Sequence, residues 1–114
     1  MIVVHGLKNC DTCRNAMKWL AAEGMEARLH DLRADGLDAD TLGRWVDVLG
    51  WEALLNRRGT TWRKLPENDM ADIDEEKAKA LMFEHPALIK RPVFDAGGKI
   101  ILGFKDEQKA ALKG

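Results

Sequence analysis

Ile2-Val3-Val4-His5-Gly6-Leu7-Lys8-Asn9-Cys10-Asp11-Thr12-Cys13 is the stretch that decides the fold. Ile2 to Val4 is a short apolar run bounded by Gly6, the pattern of a buried strand. After it, Cys13, Ala16, Met17 and Leu20 recur at helical spacing, which predicts a helix over Asp11 to Glu23 with Gly24 as its stop. The chain's two cysteines therefore stand together as Cys-x-x-Cys where a strand hands over to a helix. A thiol there meets unpaired backbone N–H groups and the positive end of the helix dipole, and both favour thiolate. Such cysteines reach pKa values of roughly 3.5–7.5, from about 8.5 when free. Cys13 shares the apolar stripe and is expected to face the core. Cys10 precedes the first turn and is expected to be exposed. An exposed, activated thiol with a less exposed partner is what a dithiol cycle needs: the first attacks and the second resolves the mixed disulfide.

Working outward, Glu26 to Leu32 alternates at Ala27, Leu29 and Asp31 as a half-buried strand does. Strand, helix and strand make a βαβ unit, normally right-handed with parallel strands. Ala34-Asp35-Gly36 is a turn. A second helix is predicted from Ala39 to Leu49, with Leu42, Trp45, Val46 and Leu49 on one face, and a short turn of helix from Trp51 to Leu55. Asn56 to Glu67 is polar, basic and expected to be irregular. Helix resumes near Asp74, with Ala78, Leu81 and Met82 inward, and Pro86 breaks it. Arg91-Pro92 opens a hairpin whose strands are Val93-Phe94 and Ile100 to Leu102, with Gly97-Gly98 as the turn. A final helix runs from Asp106, a candidate N-cap, to Leu112. A reactive thiol at the first βα turn, with that order of elements, predicts an α/β fold. It has a thioredoxin-like βαβ…ββα core, a mixed four-stranded sheet and a helical insertion over about 38–88, within a single domain spanning 1–114.

Bulk properties narrow the function. A chain of 114 residues, 46% of them hydrophobic, can bury a real core. A net charge of -1 gives no electrostatic case for nucleic acid or an anionic membrane. No apolar run approaches the ~20 residues of a spanning helix, and the N-terminus lacks the pattern of a secretory signal. Cysteines this close in sequence cannot staple a domain, so a cytoplasmic setting with catalytic thiols is expected. A structural zinc site takes about four ligands, and His5 and His30 lack the spacing to complete one, so no metal is expected. Arg57, Arg58, Arg63 and Lys64 form a basic loop around Trp62, suited to an oxyanion or to the carboxylates of a thiol peptide.

Taken together, these residues resemble the ArsC/Spx family of small thioredoxin-like proteins, nearly end to end. Asn9-Cys10-Asp11-Thr12-Cys13-Arg14-Asn15 resembles the arsenate reductase pattern Cys-Gly-Thr-Ser-Arg-Asn and places Cys10 on the family's catalytic cysteine. His85-Pro86-Ala87-Leu88-Ile89-Lys90-Arg91-Pro92 resembles the family's His-Pro-x-Leu-Ile-x-Arg-Pro. The resemblance implies that Arg91 binds an oxyanion and that Pro92 is a cis-proline lying against the active cysteine. A gapless match places Arg58 on another family arginine, with Arg57 one residue away. Gly6 stands where glutaredoxin-dependent arsenate reductases carry histidine, and Leu102-Gly103-Phe104 lacks their third arginine. Asn9 to Thr12 and Arg58 to Leu65 are closer to the YffB branch, which implies a glutathione-dependent thiol reductase. On that reading Cys10, Cys13, Arg58 and Arg91 are catalytic, and Asn9, Arg57, Trp62 and Pro92 bind substrate. No cofactor is bound, and glutathione is the co-substrate. Glutathione or glutaredoxin, with a small oxyanion or disulfide, are the expected partners of a monomer that contacts neither nucleic acid nor membrane. The alternatives are a Spx-like redox regulator that binds RNA polymerase, to which Cys13 is similar, and a glutaredoxin-dependent arsenate reductase.

Overall fold

The computed structural model describes residues 1–114. In chain order the elements are β1 (Ile2–Gly6), α1 (Asp11–Ala22), β2 (Ala27–Asp31), α2 (Ala39–Leu49), α3 (Trp51–Leu54), α4 (Thr60–Arg63), α5 (Glu67–Met70), α6 (Glu75–Glu84), a 3₁₀ turn (Pro86–Leu88), β3 (Val93–Ala96), β4 (Lys99–Leu102) and α7 (Asp106–Lys113). They cluster into two compact units. One holds Met1–Gly36 with Arg91–Gly114; the other holds Leu37–Lys90. No helix is long and apolar enough to cross a membrane.

The first unit carries a mixed four-stranded sheet in the order β2-β1-β3-β4, the α/β arrangement the sequence predicts. β1 pairs parallel with β2 and antiparallel with β3, and β3 pairs antiparallel with β4. Val4 lies opposite Leu29 on one side and Phe94 on the other. Val4, Ala16, Leu20, Phe94 and Ile101 form the buried centre, flanked by Met17, Trp19, Leu29 and Phe104. The α1 stripe thus packs where its spacing placed it. Gly97 (φ 63°) and Gly98 (φ 92°) both take left-handed backbone in the β3–β4 turn. That conformation matches the twist of a tight hairpin and suits glycine best. The last helix begins at Asp106 as expected, but its N-cap is Lys105 rather than Asp106. The Gln108 side-chain oxygen accepts the Lys105 N–H at 2.9 Å, which puts the cap one position earlier.

The second unit is helical. α2 buries Leu42, Trp45 and Val46, and α6 buries Ala78, Leu81 and Met82. Asp74 caps α6 by accepting the Lys77 N–H at 2.8 Å. The basic segment, expected to be irregular, contains α4 and leads into α5. Each is one turn long, too short to show a period, and buried Leu65 between them anchors the segment. Leu55 and Ile89 form an isolated antiparallel bridge. The Asn56 N–H donates to the Leu88 carbonyl at 2.7 Å and the Lys90 N–H to the Leu54 carbonyl at 2.8 Å. This strap ties the start of the basic segment to the stretch that ends at Lys90.

Candidate active site

The strand-to-helix corner is built from β1, the tip of β2 and the start of β3. β1 ends at Gly6, and Leu7 to Asn9 carry the chain to Cys10. The Cys10 N–H donates to the Leu7 carbonyl at 3.1 Å, and the Arg14 N–H to the Cys10 carbonyl at 3.0 Å. Cys10 is therefore the N-cap of α1, in extended backbone (φ -93°, ψ 119°). Asp31, at the end of β2, fastens this corner. Its carboxylate accepts N–H groups from Lys8, Arg33 and Ala34, each at 2.8 Å. The Ala34 and Lys8 donors outweigh burial and hold the Asp31 carboxyl below the usual carboxylate range.

Both thiols are free, Cys10 half-buried and Cys13 buried. Burial pushes the Cys10 thiol up. The Cys13 backbone N–H, the Cys13 thiol, and the Arg91 guanidinium through a hydrogen bond and its charge push it down, and together they prevail. The Cys13 N–H faces the Cys10 sulfur without closing a full side-chain cap bond. Cys13 goes the other way. Burial and the neighbouring Cys10 push its thiol up to about 12, against a lowering by the Leu7 N–H and Arg91. The two cysteines expected to differ in environment do differ, in the expected sense.

The first unit thus brings Cys10, Cys13 and Arg91 together. The Arg91–Pro92 peptide bond is cis, and Pro92 is buried with its carbonyl accepting the Gly103 N–H at 3.0 Å. Asn9 is exposed in the loop before Cys10. In the second unit, Arg57 and Arg58 line a cavity of about 450 Å³ with Glu52, Leu55 and Lys90. Arg57 lies over the Trp51 ring at 5.2 Å, and the Arg58 N–H donates to the Asn56 side chain at 3.0 Å. Trp62 is half-buried on α4. No group of three or more His, Cys, Asp and Glu side chains is placed to hold a metal ion. Two residues of these sites escape a reading by motif. Asp31 is signalled only as a charged residue at an inward position of the Ala27, Leu29, Asp31 alternation, and Lys90 only as the neighbour of Arg91.

A thioredoxin-like sheet with a lowered-pKa thiol at its first helix and an arginine against it defines a thiol-oxidoreductase-like protein. The ArsC family model matches residues 5–112, and the chain belongs to that family. An uncharacterized protein of Haemophilus influenzae is 44% identical over 111 residues, covering 97% of each chain. A solved YFFB protein is 45% identical, with a TM-score of 0.92 over 98% of both chains. An arsenate reductase (ArsC) related protein from Brucella melitensis is 44% identical, with a TM-score of 0.78 over 96% of this chain and 92% of its own. The global transcriptional regulator Spx 2 of Bacillus anthracis is more distant, 23% identical over 110 residues that cover 95% of this chain and 83% of the regulator.

Proposed function

We propose that this protein is a glutathione-dependent thiol–disulfide oxidoreductase with Cys10 as its nucleophile. One observation carries the reading: the Cys10 thiol is lowered although burial opposes it, by the Cys13 N–H and S–H and by Arg91. The thiolate is the attacking species, and a half-buried one held by fixed donors is built for sulfur transfer. The Cys10 thiolate attacks one sulfur of a mixed disulfide between glutathione and a second thiol. A Cys10–glutathione disulfide forms and the other sulfur leaves as thiolate. A second thiol then takes the glutathione sulfur and regenerates the Cys10 thiolate. Arg91 holds the thiolate and the anionic part of the substrate. Arg58, with Arg57, Lys90 and Glu52 around a polar cavity, suits a ligand carrying carboxylates and an ammonium group. Asn9 completes the proposed contacts beside Cys10 in the first unit, and Trp62 those of the basic segment in the second.

The test is a substrate panel of arsenate, a glutathionylated peptide and a small disulfide, each with glutathione and with glutaredoxin. Turnover of the peptide or the disulfide with glutathione is expected. Turnover of arsenate alone would assign oxyanion reduction instead. No turnover, together with capture of RNA polymerase subunits, would assign a sensor of the Spx kind, with Cys10 and Cys13 as the redox pair.

A further inference from the structure

Gly6 ends β1 with ordinary backbone, so its lack of a side chain answers to space rather than to conformation. A Cβ at this position would lie 2.3 Å from the Cys13 sulfur and 3.3 Å from the Cys13 Cβ, where ordinary contact begins near 3.4 Å. The strand has little room to give. The Gly6 carbonyl accepts the Leu32 N–H at 2.9 Å, and Gly6 stands in register with Asp31 on β2. The Cys13 sulfur therefore sits in a notch that Gly6 leaves open, with the Leu7 N–H directed at it and Cys10 beside it. None of Cys13 is exposed (0%).

We infer that Cys13 is a positioning residue, a buried S–H donor seated in the Gly6 notch to hold the Cys10 thiolate, and that an external thiol, not Cys13, discharges the Cys10 adduct. This rests on the thiol reductase reading and names the resolving partner within it. Resolution by Cys13 would require its own thiolate in a fully buried place and rotation of its sulfur out of the notch. Burial is the first reason its thiol is pushed up to about 12, and burial persists when Cys10 is blocked. A thiol raised by burial keeps its proton near neutral pH and supplies little thiolate to attack the adduct. An external thiolate meets no such obstacle. It attacks the glutathione sulfur of the Cys10 adduct, forms a new disulfide with it, and leaves Cys10 as thiolate to be met again by the Cys13 S–H.

The full chain, reduced and then treated with oxidised glutathione, gives the Cys10 adduct for the test. In thiol-free buffer the adduct is expected to persist by mass spectrometry, and to discharge at a rate proportional to added glutathione. Spontaneous release of glutathione with a Cys10–Cys13 disulfide left behind would overturn the inference. The donor role has its own readout, the rate of Cys10 alkylation by iodoacetamide at pH 6. Cys13→Ala is expected to slow it about tenfold, the scale of one hydrogen bond to a charged group, and Cys13→Ser to restore much of it. Gly6→Ala should slow it likewise, and Gly6→Ala/Cys13→Ala should match Cys13→Ala, because the clash goes with the sulfur. A double variant slower than Cys13→Ala, or unchanged alkylation in Cys13→Ala, would remove the notch or the donor from the account. If Cys10 forms no adduct at all, the reductase reading fails, while the alkylation series still decides what Cys13 does.

Discussion

Replacing Asp31 should loosen the corner that holds Cys10 without touching either sulfur. Its carboxylate takes three backbone N–H groups at 2.8 Å, from Lys8, Arg33 and Ala34. Asp31→Ala leaves all three donors without that acceptor. Hydrogen bonds to a charged group contribute about 1.5–3 kcal/mol singly, but they are not additive. Only 6% of the residue is exposed. The total expected is about 2–3 kcal/mol, a fall in Tm of roughly 8–12 °C for a domain of this size. The pH dependence has a definite sign. The folded carboxyl is lowered by the Ala34 and Lys8 donors. Its stabilisation is therefore full above the unfolded value of about 3.9 and lost as pH falls through the folded value. Asp31→Asn keeps the shape and removes the charge, so its deficit against the natural chain should be constant near neutrality and shrink below about pH 4. Urea unfolding followed by tryptophan fluorescence at pH 7 and pH 3 measures both. The reasoning fails if Asp31→Ala costs less than about 0.5 kcal/mol at pH 7, or if the Asp31→Asn deficit grows on acidification.

Alkylation at mildly acidic pH should label Cys10 before Cys13, since one thiol is lowered and the other pushed up to about 12; equal labelling would count against Cys10 as the nucleophile. Arg91→Ala should cut kcat/KM roughly ten- to a hundredfold with the fold intact by circular dichroism. Arg58→Ala is expected to act similarly and Arg57→Ala less; the opposite order would put the family match across the basic segment off by one residue. Asp74→Ala, which removes the acceptor for the Lys77 N–H, should lower stability by about 1 kcal/mol in denaturant titration.

The parts of this molecule that could be read in advance are those with a period or a forced backbone. The Cys13, Ala16, Met17, Leu20 stripe fixes α1, the Leu42, Trp45, Val46 face fixes α2, and Gly97-Gly98 fixes the hairpin register. The four-residue helices α4 and α5 were illegible because one turn shows no repeat. The cap of α7 falls on Lys105 rather than Asp106 because Gln108 reaches back to the Lys105 N–H, and such a bond is invisible to spacing alone. At the site, Cys10 was legible from its place at a helix mouth. Arg91 beside it was not legible from spacing, since the two lie at opposite ends of the chain and are joined only by the pairing of β1 with β3. That part came from resemblance to a family motif. Asp31 and Gly6 were missed because each acts through backbone or empty space.

The reactivity of Cys10 is a balance of opposed effects rather than a property of the helix end alone. Half-burial raises its thiol and strengthens every donor aimed at it, because charge interactions grow as water is excluded. The two sulfurs then titrate as one system. The first proton to leave is that of Cys10 and the second stays on Cys13 until about pH 12, so between the two steps the pair holds one proton and one negative charge. Arg91 faces that single charge. Once Cys10 is tied up in a mixed disulfide, the pair is neutral and Arg91 has lost the thiolate as a partner. A second thiol that brings its own carboxylates, as glutathione does, is then favoured over a neutral one at the step that restores the enzyme. The rate of adduct discharge should accordingly be higher with glutathione than with its diester at equal thiolate concentration, and the difference should vanish in Arg91→Ala.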